Sequence, residues 1–274
     1  MLAFLSAQVA RADDVELLAL MGGQGCTIGA DSREAAERAG FDAEQIDALM
    51  SMTLTNGKAK QQGRYVVLDE DICTIRLPDI QSDYTIASLE IRAITSAIDA
   101  DASDGERGCF LGDAPFVFDG LKGGKSGAGF ADFIAFIGAG IIAGDLRFYS
   151  PSVLRPPVAF QNVRGPCAAI PDIEVINRSY SALSTGFGGY VRALGAEVPC
   201  NDDQNEGLPY DTSVMARYTA TVQGYDLAAD ERDQPKINAW LWFEYDLITM
   251  AAGWHEGMTG TERGTPRPPL CHYR

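Results

Sequence analysis

The sequence predicts an α+β protein in which a small helical unit precedes a larger, disulfide-stabilised domain. Three observations support this class. Cap and turn signals with helically spaced apolar residues fill the first part of the chain, long apolar–polar alternation marks its last third, and six cysteines are spread over 274 residues. The chain is 46% hydrophobic and has no run of about 18 apolar residues, so a globular protein without a membrane-spanning helix is expected.

The extreme N-terminus and the cysteines both point to export. Residues 1–12 contain an apolar stretch, and Ala10 and Ala12 are small residues placed as in a signal cleavage site before Asp13. An even number of cysteines without a C-x-x-C pair is typical of disulfides formed in an oxidising compartment. We therefore expect a periplasmic or secreted protein with three bridges. The candidate cysteines are Cys26, Cys73, Cys109, Cys167, Cys200 and Cys271.

Residues 13–73 are predicted to form a winged-helix-like domain. Three helical segments follow one another, and Asp42 is placed to cap the third. Two short strands, 58–61 and 64–68, are expected to pair about Gly63. Three helices followed by a hairpin outline a winged helix. Cys26 and Cys73 lie in a loop and at the end of this unit, where a bridge between them would close it.

The charge of this unit argues against nucleic acid as its partner. Residues 13–73 contain five basic and twelve acidic side chains, a net charge of −7, and the whole chain has a net charge of −16. The helix that would enter a DNA groove contains Asp42, Glu44 and Asp47, whose carboxylates repel phosphate. Structural support or protein contact is the predicted role.

The remaining residues, 74–274, are predicted to form the main domain, with a possible internal duplication. Segments 73–109 and 167–200 both begin with cysteine, continue through Pro-Asp into a helical stretch and end with cysteine. The repeat favours Cys167–Cys200 as a bridge. By analogy it also favours Cys73–Cys109, which conflicts with Cys26–Cys73, and the sequence leaves both pairings open.

The middle of the chain is rich in glycine and apolar residues. We expect a strand at 115–118, a buried helix at 128–143, and strands at 146–150 and 158–163. The two later strands are separated by the proline-bearing loop 151–157.

The last third predicts a long β-hairpin with strands 214–223 and 237–248. Apolar and polar residues alternate through both segments, with a polar connection at 226–235. In a strand, Trp240 and Trp242 would share a face with Glu244 and Asp246. Such a paired tryptophan surface is a candidate binding face for a protein or a sugar, unless another layer covers it.

Catalytic motifs are incomplete. The segment from Gly120 to Ser126 resembles a phosphate-binding loop, but its spacing is one residue short and Asp119 stands where glycine is required. Ser126 also lies in a near match to the G-x-S-x-G nucleophile motif, with His255 as a later base. An exported hydrolase that uses Ser126, or a carboxylate pair, with His255 is therefore an alternative.

Two acidic loops suggest Ca²⁺, but neither has the full ligand pattern of a calcium-binding loop, so no cofactor is predicted from an intact motif. The candidate ligands are Asp99, Asp101 and Ser103 in one loop and Asp203 and Asn205 in the other.

The leading hypothesis is an exported, disulfide-stabilised binding or structural protein that contacts other proteins or envelope polymers. Its acidic surface, its cysteines and the predicted Trp240–Trp242 face support this hypothesis. A cytosolic regulator built on the winged unit becomes the alternative if the protein is not exported.

Overall fold

The computed structural model of the protein describes residues 12–95, 108–112, 114–197 and 211–254. Within these ranges, helices combine with two small antiparallel sheets of three strands each, in agreement with the predicted α+β class. One continuous apolar core extends from Leu17 in the first helix to Trp254 after the last one. None of the helices in the described ranges is long and apolar enough to cross a membrane.

The N-terminal part contains three helices and a three-stranded sheet. The helices are α1 (Ala12–Gly22), α2 (Ala30–Arg38) and α3 (Ala43–Thr55), and the strands are β1 (Thr27–Ile28), β2 (Ala59–Gln62) and β3 (Tyr65–Leu68). The strand order is β1-β3-β2, with both pairs antiparallel. Gly63, with φ +54°, provides the left-handed backbone of the β2–β3 turn. The three predicted helices and the hairpin about Gly63 are confirmed.

The start of α3 illustrates how local chemistry sets an element boundary. The Asp42 carboxylate accepts a hydrogen bond from the backbone N–H of Gln45 at 2.8 Å. The Gln45 side chain in turn accepts one from the N–H of Asp42 at 2.9 Å. This reciprocal cap satisfies two donors that the helix leaves unpaired, and it directs Ile46 and Leu49 into the core. The predicted Asp42 cap is confirmed.

The middle of the chain builds the second sheet and a buried helix. The helices are α4 (Leu89–Thr95), α5 (Ala114–Leu121) and α6 (Phe130–Ala143), and the strands are β4 (Phe110–Leu111), β5 (Leu146–Arg147) and β6 (Phe160–Asn162), in the order β4-β6-β5. The predicted strand at 115–118 is wrong, since these residues belong to α5. Pro115 lies in the first turn of α5, where its missing N–H costs no hydrogen bond. The predicted buried helix is confirmed as α6.

Three helices complete the core: α7 (Ile173–Glu197), α8 (Thr212–Val222) and α9 (Leu241–Ala251). Helix α9 packs most extensively on α6, and α7 packs on both α8 and α9. Close packing of α7 depends on Gly188, because a Cβ there would lie 2.5 Å from the backbone oxygen of Ile75. The aromatic rings of Tyr190 and Tyr245 stack across α7 and α9 with centroids 4.7 Å apart.

The predicted C-terminal hairpin is wrong, because both of its strands are helices. Within α8 the buried residues include Val214, Met215 and Thr219, a spacing that follows the helical repeat of 3.6 residues. The Asp211 carboxylate caps α8 by accepting hydrogen bonds from the N–H groups of Ser213 and Val214, at 2.9 and 3.1 Å. In α9 the alternating pattern arose because apolar residues lie on several sides of a largely buried helix. In α8, which buries one face, the partly exposed Ala216 and Tyr218 complete the pattern.

Two disulfides lie within the described residues, Cys26–Cys73 and Cys109–Cys167. The Cys26–Cys73 bridge joins the loop after α1 to the segment after β3, and it confirms one of the two alternative pairings predicted for Cys73. The predicted Cys73–Cys109 and Cys167–Cys200 bridges are wrong, because Cys73 and Cys167 are joined to other partners. Cys200 and Cys271 lie outside the described residues.

Candidate functional site

The Ser126 segment lacks the geometry that both catalytic motifs require. Ser126 is exposed in the turn between α5 and α6, and the element before it is a helix instead of a strand. The Asp119 carboxylate accepts hydrogen bonds from the N–H groups of Gly127 and Gly129, both at 2.9 Å. These amides are thus directed at a side chain and are not presented to a phosphate. His255, the proposed base, lies outside the described residues.

The proposed calcium ligands Asp99, Asp101, Ser103, Asp203 and Asn205 also lie outside the described residues. Within the part of the chain that the structure describes, no group of three or more His, Cys, Asp or Glu side chains is placed to hold a metal ion.

Trp240 and Trp242 form a half-buried pair at the start of α9. Their ring centroids are 5.6 Å apart, and the indole N–H of Trp240 donates a hydrogen bond to the backbone oxygen of Ser152 at 2.8 Å. The predicted strand face is wrong, because the segment is helical, and Glu244 and Asp246 are buried and form no exposed surface with the two tryptophans. Through its hydrogen bond to Ser152, Trp240 instead fixes the position of the loop 151–157.

The loop 151–157 forms one wall of an apolar groove. The groove has a volume of about 450 Å³, within the usual range of ligand sites, and its other walls come from α8 and from residues 225–239. Three aliphatic side chains in its lining are strongly exposed: Val153 at 66%, Leu154 at 88% and Leu227 at 60%. Exposed aliphatic residues gathered around a concavity are typical of surfaces that bind a partner.

The two loops that carry these side chains are held by specific contacts. Pro151, at the edge of the groove, restricts the backbone of the first loop. In the second, the Gln234 side chain accepts a hydrogen bond from the N–H of Asp226 at 2.5 Å and donates to the backbone oxygens of Asp226 and Ala229. Gln234 thus closes the loop that presents Leu227. A groove with fixed walls loses less conformational entropy when a partner binds.

The fully buried Asn238 joins the floor of the groove to the core. Its backbone N–H donates to the Gln223 side chain at 2.9 Å, and its carbonyl accepts from the same amide at 2.8 Å. Its side-chain oxygen accepts from the N–H of Trp240 at 3.1 Å, and its amide donates to the Phe148 oxygen at 3.4 Å. Through its backbone and its side chain together, Asn238 therefore connects α8, α9 and the end of β5.

Two buried ionisable residues, Glu244 and Arg147, lie next to Phe148. The Glu244 carboxylate accepts a hydrogen bond from the N–H of Phe148 at 2.7 Å, and burial raises the pKa of Glu244 to about 7 despite the opposing effect of Arg147. Burial also lowers the pKa of Arg147. The Arg147 guanidinium lies 4.2 Å from the Tyr180 ring centroid and donates to the Ile141 oxygen at 2.8 Å. The Phe148 ring contacts Trp240, and Trp240 donates its hydrogen bond to Ser152, which lines the groove.

The comparisons with known proteins do not identify a function: no family model, curated protein or solved structure matches this chain. The lining of the groove is therefore the feature that indicates a function. Sequence reasoning singled out Trp240 but missed Leu154 and Leu227. The one local signal was the pair of aliphatic residues, Val153 and Leu154, set between prolines in an otherwise polar loop.

Proposed function

We propose that the protein is an exported, disulfide-stabilised binding protein, and that its groove receives an apolar segment of another protein. The observation that supports this most directly is the exposure of Val153, Leu154 and Leu227 around one concavity. An aliphatic lining suits apolar side chains better than it suits a polysaccharide, which needs polar partners and flat aromatic rings. A protein partner is therefore favoured over an envelope polymer.

Export is supported by the bridges Cys26–Cys73 and Cys109–Cys167, since disulfides persist in oxidising compartments. If all six cysteines pair, Cys200 and Cys271 form the third bridge. Mass measurements on protein from its natural host, before and after reduction, test this proposal. We expect the protein to gain two hydrogens for each of three bridges. A chain that gains none would contradict export.

We infer that residues 13–73 form a winged-helix-like unit that serves as support or as a protein contact. The alternation of helices and strands, ending in the β2–β3 hairpin, supports this inference. The acidic charge of this unit disfavours DNA binding. One of its few cations, Arg33, is already paired with Asp47 on α3 at 2.7 Å. An electrophoretic assay with random-sequence duplex DNA at low salt should show no retardation. Salt-sensitive retardation would contradict the inference.

A display library of short random peptides tests the groove. We expect wild-type protein to enrich peptides that contain clustered aliphatic or aromatic residues, and we expect Leu154→Asp and Leu227→Asp to abolish their binding. The matched control is Val158→Asp, because Val158 is 81% exposed but does not line the groove. The absence of enrichment, or equal loss of binding in the control, would refute the proposed function.

A further inference from the structure

A second cavity adjoins the apolar groove and differs from it in charge. It has a volume of about 330 Å³, and Lys236 and Ile237 line both cavities. Arg178, on α7, lines only the second cavity. A ligand that crosses the ridge formed by Lys236 and Ile237 would thus pass from an aliphatic surface to one that bears two cations.

The charge around these cavities is unusual for this chain. The protein has 38 acidic residues and a net charge of −16, yet none of the described residues that line either cavity is acidic. Where a surface is strongly negative overall, a concave region that carries only cations attracts anionic groups selectively. The charge pattern therefore distinguishes an acidic ligand from a neutral or basic one.

Arg178 is attached to the backbone of Lys236, and both cations retain capacity for an anion. One nitrogen of the exposed Arg178 guanidinium donates to the Lys236 backbone oxygen at 3.2 Å, its one hydrogen bond among the described residues. Lys236 Nζ lies 3.1 Å from the Asp172 carboxylate. The Lys236 side chain in this pair is solvent-exposed, while Asp172 is half-buried and also accepts from the Tyr149 hydroxyl. The solvated lysine can therefore share a second carboxylate, which Arg178 binds with its remaining N–H groups.

We propose that the partner segment carries an acidic side chain next to its apolar residues, and that Arg178 and Lys236 bind this carboxylate while the apolar residues occupy the groove. This inference rests on the proposed function, because it names the chemistry of the partner for the same site. The recognised feature is an aliphatic cluster followed or preceded by Asp or Glu in a peptide of a second protein.

The test uses one peptide selected by the wild-type protein, synthesised with its acidic residue and with the corresponding amide. We expect the acidic peptide to bind about tenfold more tightly, and its affinity to fall as salt is raised. Arg178→Gln or Lys236→Gln should remove most of this preference while leaving the affinity for the amide peptide unchanged. Arg155→Gln is the control, because Arg155 is exposed but lines neither cavity.

Measuring the affinity of each variant for both peptides separates direct contact with the carboxylate from a structural effect. A substitution that disturbs the structure would weaken the binding of both peptides equally. Equal binding of the acidic and amide peptides to the wild type, or selection of basic peptides, would overturn the inference while the proposed function stands. If no peptide binds at all, the proposed function itself fails.

Discussion

Replacing the buried Glu244 with glutamine should remove a specific part of the protein's pH-dependent stability. The carboxylate has one hydrogen-bond donor, the N–H of Phe148, and its second oxygen has no hydrogen-bond partner among the described residues. Arg147 interacts with it electrostatically, but burial outweighs this attraction and raises its pKa to about 7. In Glu244→Gln the amide oxygen can still accept from Phe148, so the change removes the ionisation and keeps that contact.

The sign and size of the effect follow from proton linkage. Because the pKa of Glu244 is higher in the folded protein than its ordinary value of 4.5, the folded state binds the proton more tightly. The resulting stabilisation is fully present below pH 4.5 and is lost as the pH rises through about 7. At about 1.4 kcal/mol per pH unit, the wild type should lose about 3 kcal/mol of unfolding free energy over this range.

Urea unfolding at pH 4.5 and pH 8, with the disulfides intact, measures the effect. The difference in stability between Glu244→Gln and wild type should shift by about 3 kcal/mol in favour of the variant between the two pH values. Glu174→Gln, at an exposed position, should show no such shift. If Glu244→Gln keeps the full pH dependence of the wild type, the carboxylate does not titrate in a buried site and the reasoning is refuted.

Three further predictions test a disulfide, a helix cap and a close packing contact of the fold. Cys26→Ser combined with Cys73→Ser opens a bridge that spans 47 residues and should cost about 4 kcal/mol, measured by urea unfolding; an unchanged midpoint would contradict the pairing. Asp42→Ala should lower the free energy of unfolding by about 1 kcal/mol, whereas Asp42→Asn should retain the cap and the stability. Equal loss of stability in both variants would exclude a capping role. Gly188→Ala should destabilise by about 1–3 kcal/mol, because its methyl group meets the Ile75 oxygen; a higher melting temperature would show that this contact is not tight.

Local signals were sufficient for the N-terminal part of the chain. The Asp42 cap and the Gly63 turn each depend on residues within a few positions, so their chemistry is visible in the sequence. The buried helix α6 was also predictable, because its apolar run is long and ends at Gly144, where φ is +79°. Elements of this kind are determined by the chain nearby.

The C-terminal helices and the groove depend on long-range packing. Helix α9 is enclosed by α6, α7 and α8, so apolar residues on several of its faces imitate the alternation of a strand. In α8, which buries one face, the partly exposed Ala216 and Tyr218 complete the same pattern. The Asp211 cap was the local signal that favoured a helix. Leu154 and Leu227 are far apart in the sequence, and only the folded chain brings them to one groove.

A photo-crosslinking experiment in the natural host tests the central claim, that the groove contacts another protein. A benzophenone amino acid would replace Leu154, which lines the groove, or Val158, which is similarly exposed outside it. We predict a discrete protein adduct from position 154 only, at an apolar segment of the partner that contains an acidic residue. Absence of an adduct at 154, or the same adduct from both positions, would contradict the account.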